Sequence, residues 1–159
     1  MIAKRGRAVM LAAALAVAAS APAAQADGDH GPVGLGVILG EPTGVSLKIW
    51  LDGRNAFAGA AAWSFADEAA LHIHGDYLWH FFNRVDIDPG RLPLYIGVGG
   101  RIKTADKDDL VGVRVPFGAT YILDDAPVDI FLELVPLMDI APDTEFRLNA
   151  AVGARFYFN

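Results

Sequence analysis

From about residue 33 to residue 158, hydrophobic and polar residues alternate, and this period of two recurs in eight segments separated by turn-forming residues. The segments run over about 33–40, 44–51, 55–65, 70–80, 92–103, 110–123, 128–139 and 146–158. Their connections read "EPT", "DGR", "ADEA", "FFNRVDIDPGR", "TADKDD", "DDAP" and "IAPDTE", nearly all short and rich in Asp, Pro and Gly. Short links between consecutive strands make hairpins, so the pattern predicts an antiparallel meander. No helical periodicity, repeat array or low-complexity tract competes with an all-β fold.

Sorting the segments by parity separates two faces. One collects Val33, Leu35, Val37, Leu39, then Val45, Leu47, Ile49, and so on through Leu71, Ile73, Tyr77, Trp79, Val98, Ile130, Leu132, Leu134, Val152 and Phe156. The other mixes Lys48, His72, His74, Asp76, Tyr95, Arg101, Arg114, Glu133, Arg147 and Arg155 with Gly34, Gly36, Ala58, Ala60, Gly97, Gly99, Gly112 and Gly153. A soluble sandwich also alternates, but its water-facing strands favour Thr, Lys, Glu and Ser, because Gly and Ala weaken a strand. Long charged groups interleaved with Gly and Ala suit a narrow lumen, where large side chains need small neighbours. The apolar face then points outward, over far more area than a soluble monomer leaves exposed. The predicted fold is an eight-stranded antiparallel up-and-down transmembrane β-barrel, with a soluble periplasmic barrel or sandwich as the competing reading. Aromatics near the segment ends (Trp50, Trp79, Phe81, Phe82, Tyr121, Phe156 and Phe158 on one side; Trp63, Phe65 and Phe146 on the other) are expected to form two girdles.

The first residues carry a different pattern. Lys4, Arg5 and Arg7 precede an apolar run from Ala8 to about Ala19, and Ala24-Gln25-Ala26 is a small-x-small cleavage motif. This reads as an export signal over 1–26, followed by a short linker, 27–32, and one barrel domain, 33–159. Removing the signal leaves ten basic against nineteen acidic residues, a net charge of −9, which argues against a nucleic-acid partner. The chain has no cysteine, so no disulfide supports it.

The eight-segment layout, the signal and the aromatic ending "ARFYFN" resemble small bacterial outer-membrane barrels of the OmpA and OmpX type. More narrowly, "GLGVILGEPTGVSLKIWL", "LHIHGDYLWH", "LPLYIGVGGR", "GVRVPFGATYIL" and "DIFLELVP" look like an uncharacterised bacterial family related to a spirochaete outer-membrane domain of unknown function. The resemblance implies an architecture; together with the signal and the outward apolar face, the expectation is Sec-type export to the outer membrane of a diderm bacterium, with lipid and the barrel-assembly machinery as partners and a monomer by default. It brings no catalytic residues and no cofactor. Such barrels commonly end on an aromatic residue, whereas here Asn159 follows Phe158.

The candidate site is the charged lumen: Lys48, His72, His74, Asp76, Arg101, Arg114, Glu133, Arg147 and Arg155. With Lys103 also there, these cations need anionic partners, and Asp76, Asp129 and Glu133 supply an internal ion-pair network. Metal ligation by His72, His74 and Asp76 is disfavoured, because alternate strand residues lie roughly 6.6–7 Å apart. A narrow channel or small-ligand site around His72, His74, Asp76 and Arg101 is a second reading. A third is an acyl hydrolase acting on outer-leaflet lipid, in which Ser64 and His72 face each other if the hairpin turns at Asp67 and Glu68. Eight strands leave no room for a wide pore. Pro116 and Pro136 cannot donate to the ladder, and they predict a shared bulge or local opening.

Overall fold

The computed structural model describes residues 30–41, 43–64, 70–104 and 109–158. The expected export signal, Phe65, Asp67, Glu68 and Asn159 lie outside the described residues. Nine antiparallel strands form one sheet: β1 (Val33–Gly40), β2 (Gly44–Trp50), β3 (Asn55–Ser64), β4 (Ala70–Phe81), β5 (Leu94–Thr104), β6 (Asp109–Arg114), β7 (Phe117–Ile122), β8 (Val128–Ala141) and β9 (Glu145–Phe158). β1 pairs with β9 from Val33↔Phe158 to Gly40↔Ala151, which closes the ring. β6 and β7 lie end to end between β5 and β8, so nine strands make eight staves.

The expected sixth segment is thus one stave in two pieces, and Pro116 is the reason: it has no N–H to give its neighbour. The register nevertheless runs through the break, from Arg114↔Leu137 to Phe117↔Leu134. Val115 N donates to the Pro136 carbonyl (3.0 Å) and Gly97 N to the Pro116 carbonyl (2.8 Å). The bulge predicted at the two prolines lies instead at Val111/Gly112, where pairing with β8 jumps from Asp139 to Ala141.

Following paired residues once around, from Gly34 through Lys48, Ala58, Asp76, Gly99, Arg114, Leu137 and Arg147, and extending the β1–β9 register past its last pair, Gly40↔Ala151, ends level with a point ten residues beyond Gly34, past the end of β1. Eight staves with this shear tilt by about 40° and enclose a narrow interior. The glycines on the inner face make room there for large side chains. A Cβ at Gly34 would meet the ring of Tyr157, one at Gly118 the ring of Tyr95, and one at Gly153 the ring of Phe131 and the Val37 carbonyl.

The polarity is inverted relative to a soluble protein. Lys48, Arg101, Arg114, Arg155, Asp76, Asp129, Glu133 and Asp139 are buried, while Val98, Leu132, Leu134, Leu148 and Phe156 are exposed. Trp63, Trp79, Phe81, Phe146, Phe156 and Phe158 also lie on the exterior, as the girdles require. Trp50 does not: its even parity on β2 turns it inward, where it is buried beside Ala56, Ile122 and Tyr157, with Phe82 packed against the cluster.

The longest link, between β4 and β5, is tied under the barrel. Tyr121 donates its hydroxyl to the Pro89 carbonyl (2.9 Å), Gly90 N donates to Asp124 (2.8 Å), and Arg91 pairs with Ile122. At the β2–β3 turn, Asp52 accepts from the backbone N–H of Arg54 and Asn55 and from the Asn55 amide. That amide hydrogen bond, reinforced by the two backbone donors, holds the exposed carboxyl below its ordinary pKa.

Gly153→Val is expected to destabilise the barrel by about 1–3 kcal/mol in urea unfolding, because the Phe131 ring has nowhere to go. Gly75→Ala on the outer face, where an added Cβ meets nothing within 4 Å, is expected to leave the midpoint unchanged or raised.

Candidate functional site

The inward residues fall into three tiers. In the middle tier, Arg114 on β6, Gly99 on β5 and Asp76 on β4 are consecutive partners across the sheet. Gly99 has no side chain, and a Cβ there would strike Asp76, so its absence lets the guanidinium cross over a stave. Arg114 Nε lies 2.8 Å from Asp76 Oδ1, and Nη2 donates to Glu133 Oε1 on β8 at 3.2 Å. Nη1 of the same group contacts His74 Nδ1. Tyr95 donates its hydroxyl to the other Glu133 oxygen at 2.8 Å. One buried arginine thereby links β4, β6 and β8, and Glu133 extends the network to β5.

The tier near the chain termini is centred on Asp129. Tyr157 donates to it at 2.5 Å, Arg155 Nη1 lies at 3.5 Å and Lys48 Nζ at 4.0 Å. Arg155 also donates from Nε to Ser46 (2.9 Å), and its guanidinium lies 3.8 Å from the Phe131 ring centroid. Lys48 Nζ is 2.9 Å from His80 Nε2 and 4.2 Å from the centroid of Trp50. Because His80 Nδ1 meets the Arg54 carbonyl at 3.0 Å, Nδ1 carries the proton and Nε2 accepts from the lysine. Below this tier a small cavity of about 20 Å³, lined by His30, Trp50, Phe82, Arg91, Ile122 and Tyr157, opens at the mouth.

In the far tier, Arg101 grips Asp139 with two hydrogen bonds, 2.9 Å from Nε and 2.6 Å from Nη2. Arg147 Nε lies 3.5 Å from the same carboxylate, and Nη2 donates to Glu145 at 2.9 Å. The His72 ring meets that of His74 edge-on at 5.9 Å, and His72 Nε2 is buried with no hydrogen-bond partner among the described residues.

All nine expected site residues lie on the inner face, eight of them buried; Arg147 stands at the rim, its side chain 41 % exposed. The anionic partners expected at Asp76, Asp129 and Glu133 are engaged. Asp139 was not anticipated as a partner, although its parity matches Asp129 and Glu133 on the same strand. Buried among the described residues are four Lys or Arg and four carboxylates, so the interior is balanced in formal charge. Ser64 pairs with Ala70 and His72 with Ala62, so the direct Ser64–His72 apposition expected from a turn at Asp67 and Glu68 is displaced by two residues. Among the described residues, no cluster of three His, Asp or Glu is arranged to hold a metal.

No family model and no curated protein matches the chain. Its fold is similar to the crystal structure of the N-terminal beta-barrel domain of Pseudomonas aeruginosa OprF, with a TM-score of 0.60 and 14% identity over 79% of this chain and 95% of that one. At that identity the likeness shows a shared barrel architecture.

Arg114→Met is expected to cost about 3–5 kcal/mol in urea unfolding, since it strands Asp76 and Glu133 without a counter-charge. Adding Asp76→Asn and Glu133→Gln to that variant should recover most of the loss.

Proposed function

We propose that the chain is a small integral barrel of the outer membrane of a diderm bacterium, with both termini and the long β4–β5 link on the periplasmic side. Its role is structural, in envelope integrity or surface contact, without catalysis. The observation that carries this reading is the inverted polarity: charge and imidazole inside, and an exterior on which Leu132, Phe146 and Leu148 are each more than 60% exposed. Lipid accommodates such an exterior, and the closed sheet leaves no edge along the β1–β9 seam where the two strands are paired. The filled interior supports a closed lumen, because Arg114 and Arg101 each pass over an intervening stave to Asp76 and Asp139, and Arg155 pairs with Asp129 on the neighbouring strand.

The likeness to the OprF barrel domain supports the outer-membrane reading through the fold, and kinship with the spirochaete domain rests on the quoted segments alone. Export by a cleaved signal and insertion by the assembly machinery complete the proposal. A second reading, a small-ligand site or narrow path in the far half of the lumen, is favoured by His72 Nε2, which is buried and lacks a partner among the described residues. The hydrolase reading has no comparable support.

The mature protein is expected to stay with the membrane through an alkaline carbonate wash and to migrate differently on gels before and after boiling. Recovery in the aqueous fraction would overturn the proposal. In lipid vesicles, Leu132→Arg should destabilise the barrel by about 2–4 kcal/mol, the cost of a charge near mid-bilayer.

A further inference from the structure

The barrel wall is uneven in height. β1 and β2 have eight and seven residues, whereas β8 and β9 have fourteen each. With a tilt of about 40°, each residue adds roughly 2.5 Å of height, so β2 spans about 17 Å and β9 about 35 Å. The whole difference between β1 and β9 falls at one end. At the terminal side they are level, with Val33 opposite Phe158; at the far side β1 makes its last pair, Gly40↔Ala151, while β9 continues out to Glu145. On the other flank Gly44 is opposite Ala62, and β3 runs on to Ser64. The far rim therefore dips over a width of two staves, by six residues of β9 (about 15 Å) on one flank and two of β3 (about 5 Å) on the other.

The floor and one side of this saddle are polar. Gly40 N donates to the Thr43 hydroxyl and that hydroxyl to the Gly40 carbonyl, which closes the β1–β2 turn at this level with Glu41 and Thr43 exposed. Glu41 N donates to the Ala150 carbonyl, so even-numbered residues of β9 direct their peptide groups toward β1. Beyond Ala150 there is no more β1, and the N–H and C=O of Phe146 and Leu148 face the gap with no partner among the described residues. Between them sits Arg147 on the inner face at the rim, half-exposed, paired with Glu145 and Asp139 and with Glu41 nearby, its Nη1 left for a further acceptor. The apolar band of an outer-membrane barrel is about 25 Å tall, more than the β1–β2 wall supplies. A charged turn and unpaired peptides cannot rest in hydrocarbon at that depth.

We propose that phosphate-bearing lipid headgroups of the adjoining leaflet descend into this saddle, thinning the bilayer locally over β1–β2. The phosphate accepts from the Phe146 and Leu148 N–H groups and from the Arg147 guanidinium. This rests on the membrane reading above. The remainder of the rim, where β3 to β9 are taller, keeps the leaflet at its ordinary thickness.

The cysteine-free chain allows single nitroxide labels in mixed phosphatidylcholine–phosphatidylglycerol vesicles, at Thr43→Cys, Thr144→Cys, Gly53→Cys, Ala126→Cys and Leu132→Cys. Accessibility to oxygen and to a water-soluble nickel chelate is read at each. Labels at positions 43 and 144 should both report the headgroup zone, positions 53 and 126 should match in depth, and position 132 should report hydrocarbon. In Arg147→Gln, the fraction of phosphatidylglycerol held at the barrel surface should fall at least threefold while the unfolding midpoint is kept. A hydrocarbon signature at position 43 would overturn the proposal. So would a headgroup signature at 43 accompanied by sinking of position 53 relative to 126, since the barrel would then be leaning. Water around position 132 would instead mean that the membrane reading itself had failed.

Discussion

A sheet of eight staves with a shear of ten encloses a narrow space, and the confinement of the side chains directed into it governs the rest of the molecule. Every charge that enters must meet its counter-charge on another stave, at short range and away from water. Arg114 reaching Asp76 over Gly99, Arg155 and Lys48 converging on Asp129, and Arg101 gripping Asp139 are three solutions to that one requirement. Such pairs add little net stability compared with an apolar core, but a lone survivor is costly, so the network specifies how the staves are arranged. The aromatic rings obey the same limit: Tyr157, Tyr95 and Phe131 lie where Gly34, Gly118 and Gly153 leave space.

Much of this was legible in the amino-acid pattern because a strand has a period of two, and one parity assignment settles the direction of a whole segment. "LHIHGDYLWH" alone puts His72, His74, Asp76 and His80 inside and Ile73, Tyr77 and Trp79 outside. The antiparallel order of neighbours followed from short turns, and the sixth stave runs through Pro116 in one register, with Tyr121 opposite Ile130 and Arg114 opposite Leu137. Trp50 stands near a strand end, where an aromatic suggests a girdle, but its even parity on β2 turns it inward. Asp139 is hard to read for a related reason: it stands at a segment boundary, where charge suggests a turn, although its parity points inward.

Other features depend on long-range closure and leave no local signal. The direct partners of an inward arginine depend on which staves are neighbours and by how many residues each is shifted. The carboxylate chosen by Arg101, for example, lies 38 residues away. The shift of the bulge to Val111/Gly112 is of the same kind: a proline removes one donor without changing register, whereas the extra residue at Ile140 changes register without a proline. The Ser64–His72 spacing turned on a two-residue difference in the third hairpin, which no residue within it specifies.

The claim on which everything turns is the inside-out polarity, and paramagnetic broadening in detergent-solubilised or bilayer samples tests it most directly. A nitroxide carried on a lipid chain should broaden the methyl signals of Leu132, Val98 and Ile73, while a soluble gadolinium chelate leaves the His74 and Asp76 resonances sharp. Broadening of His74 and Asp76 by the soluble agent, with Leu132 and Val98 protected from both, would contradict the account.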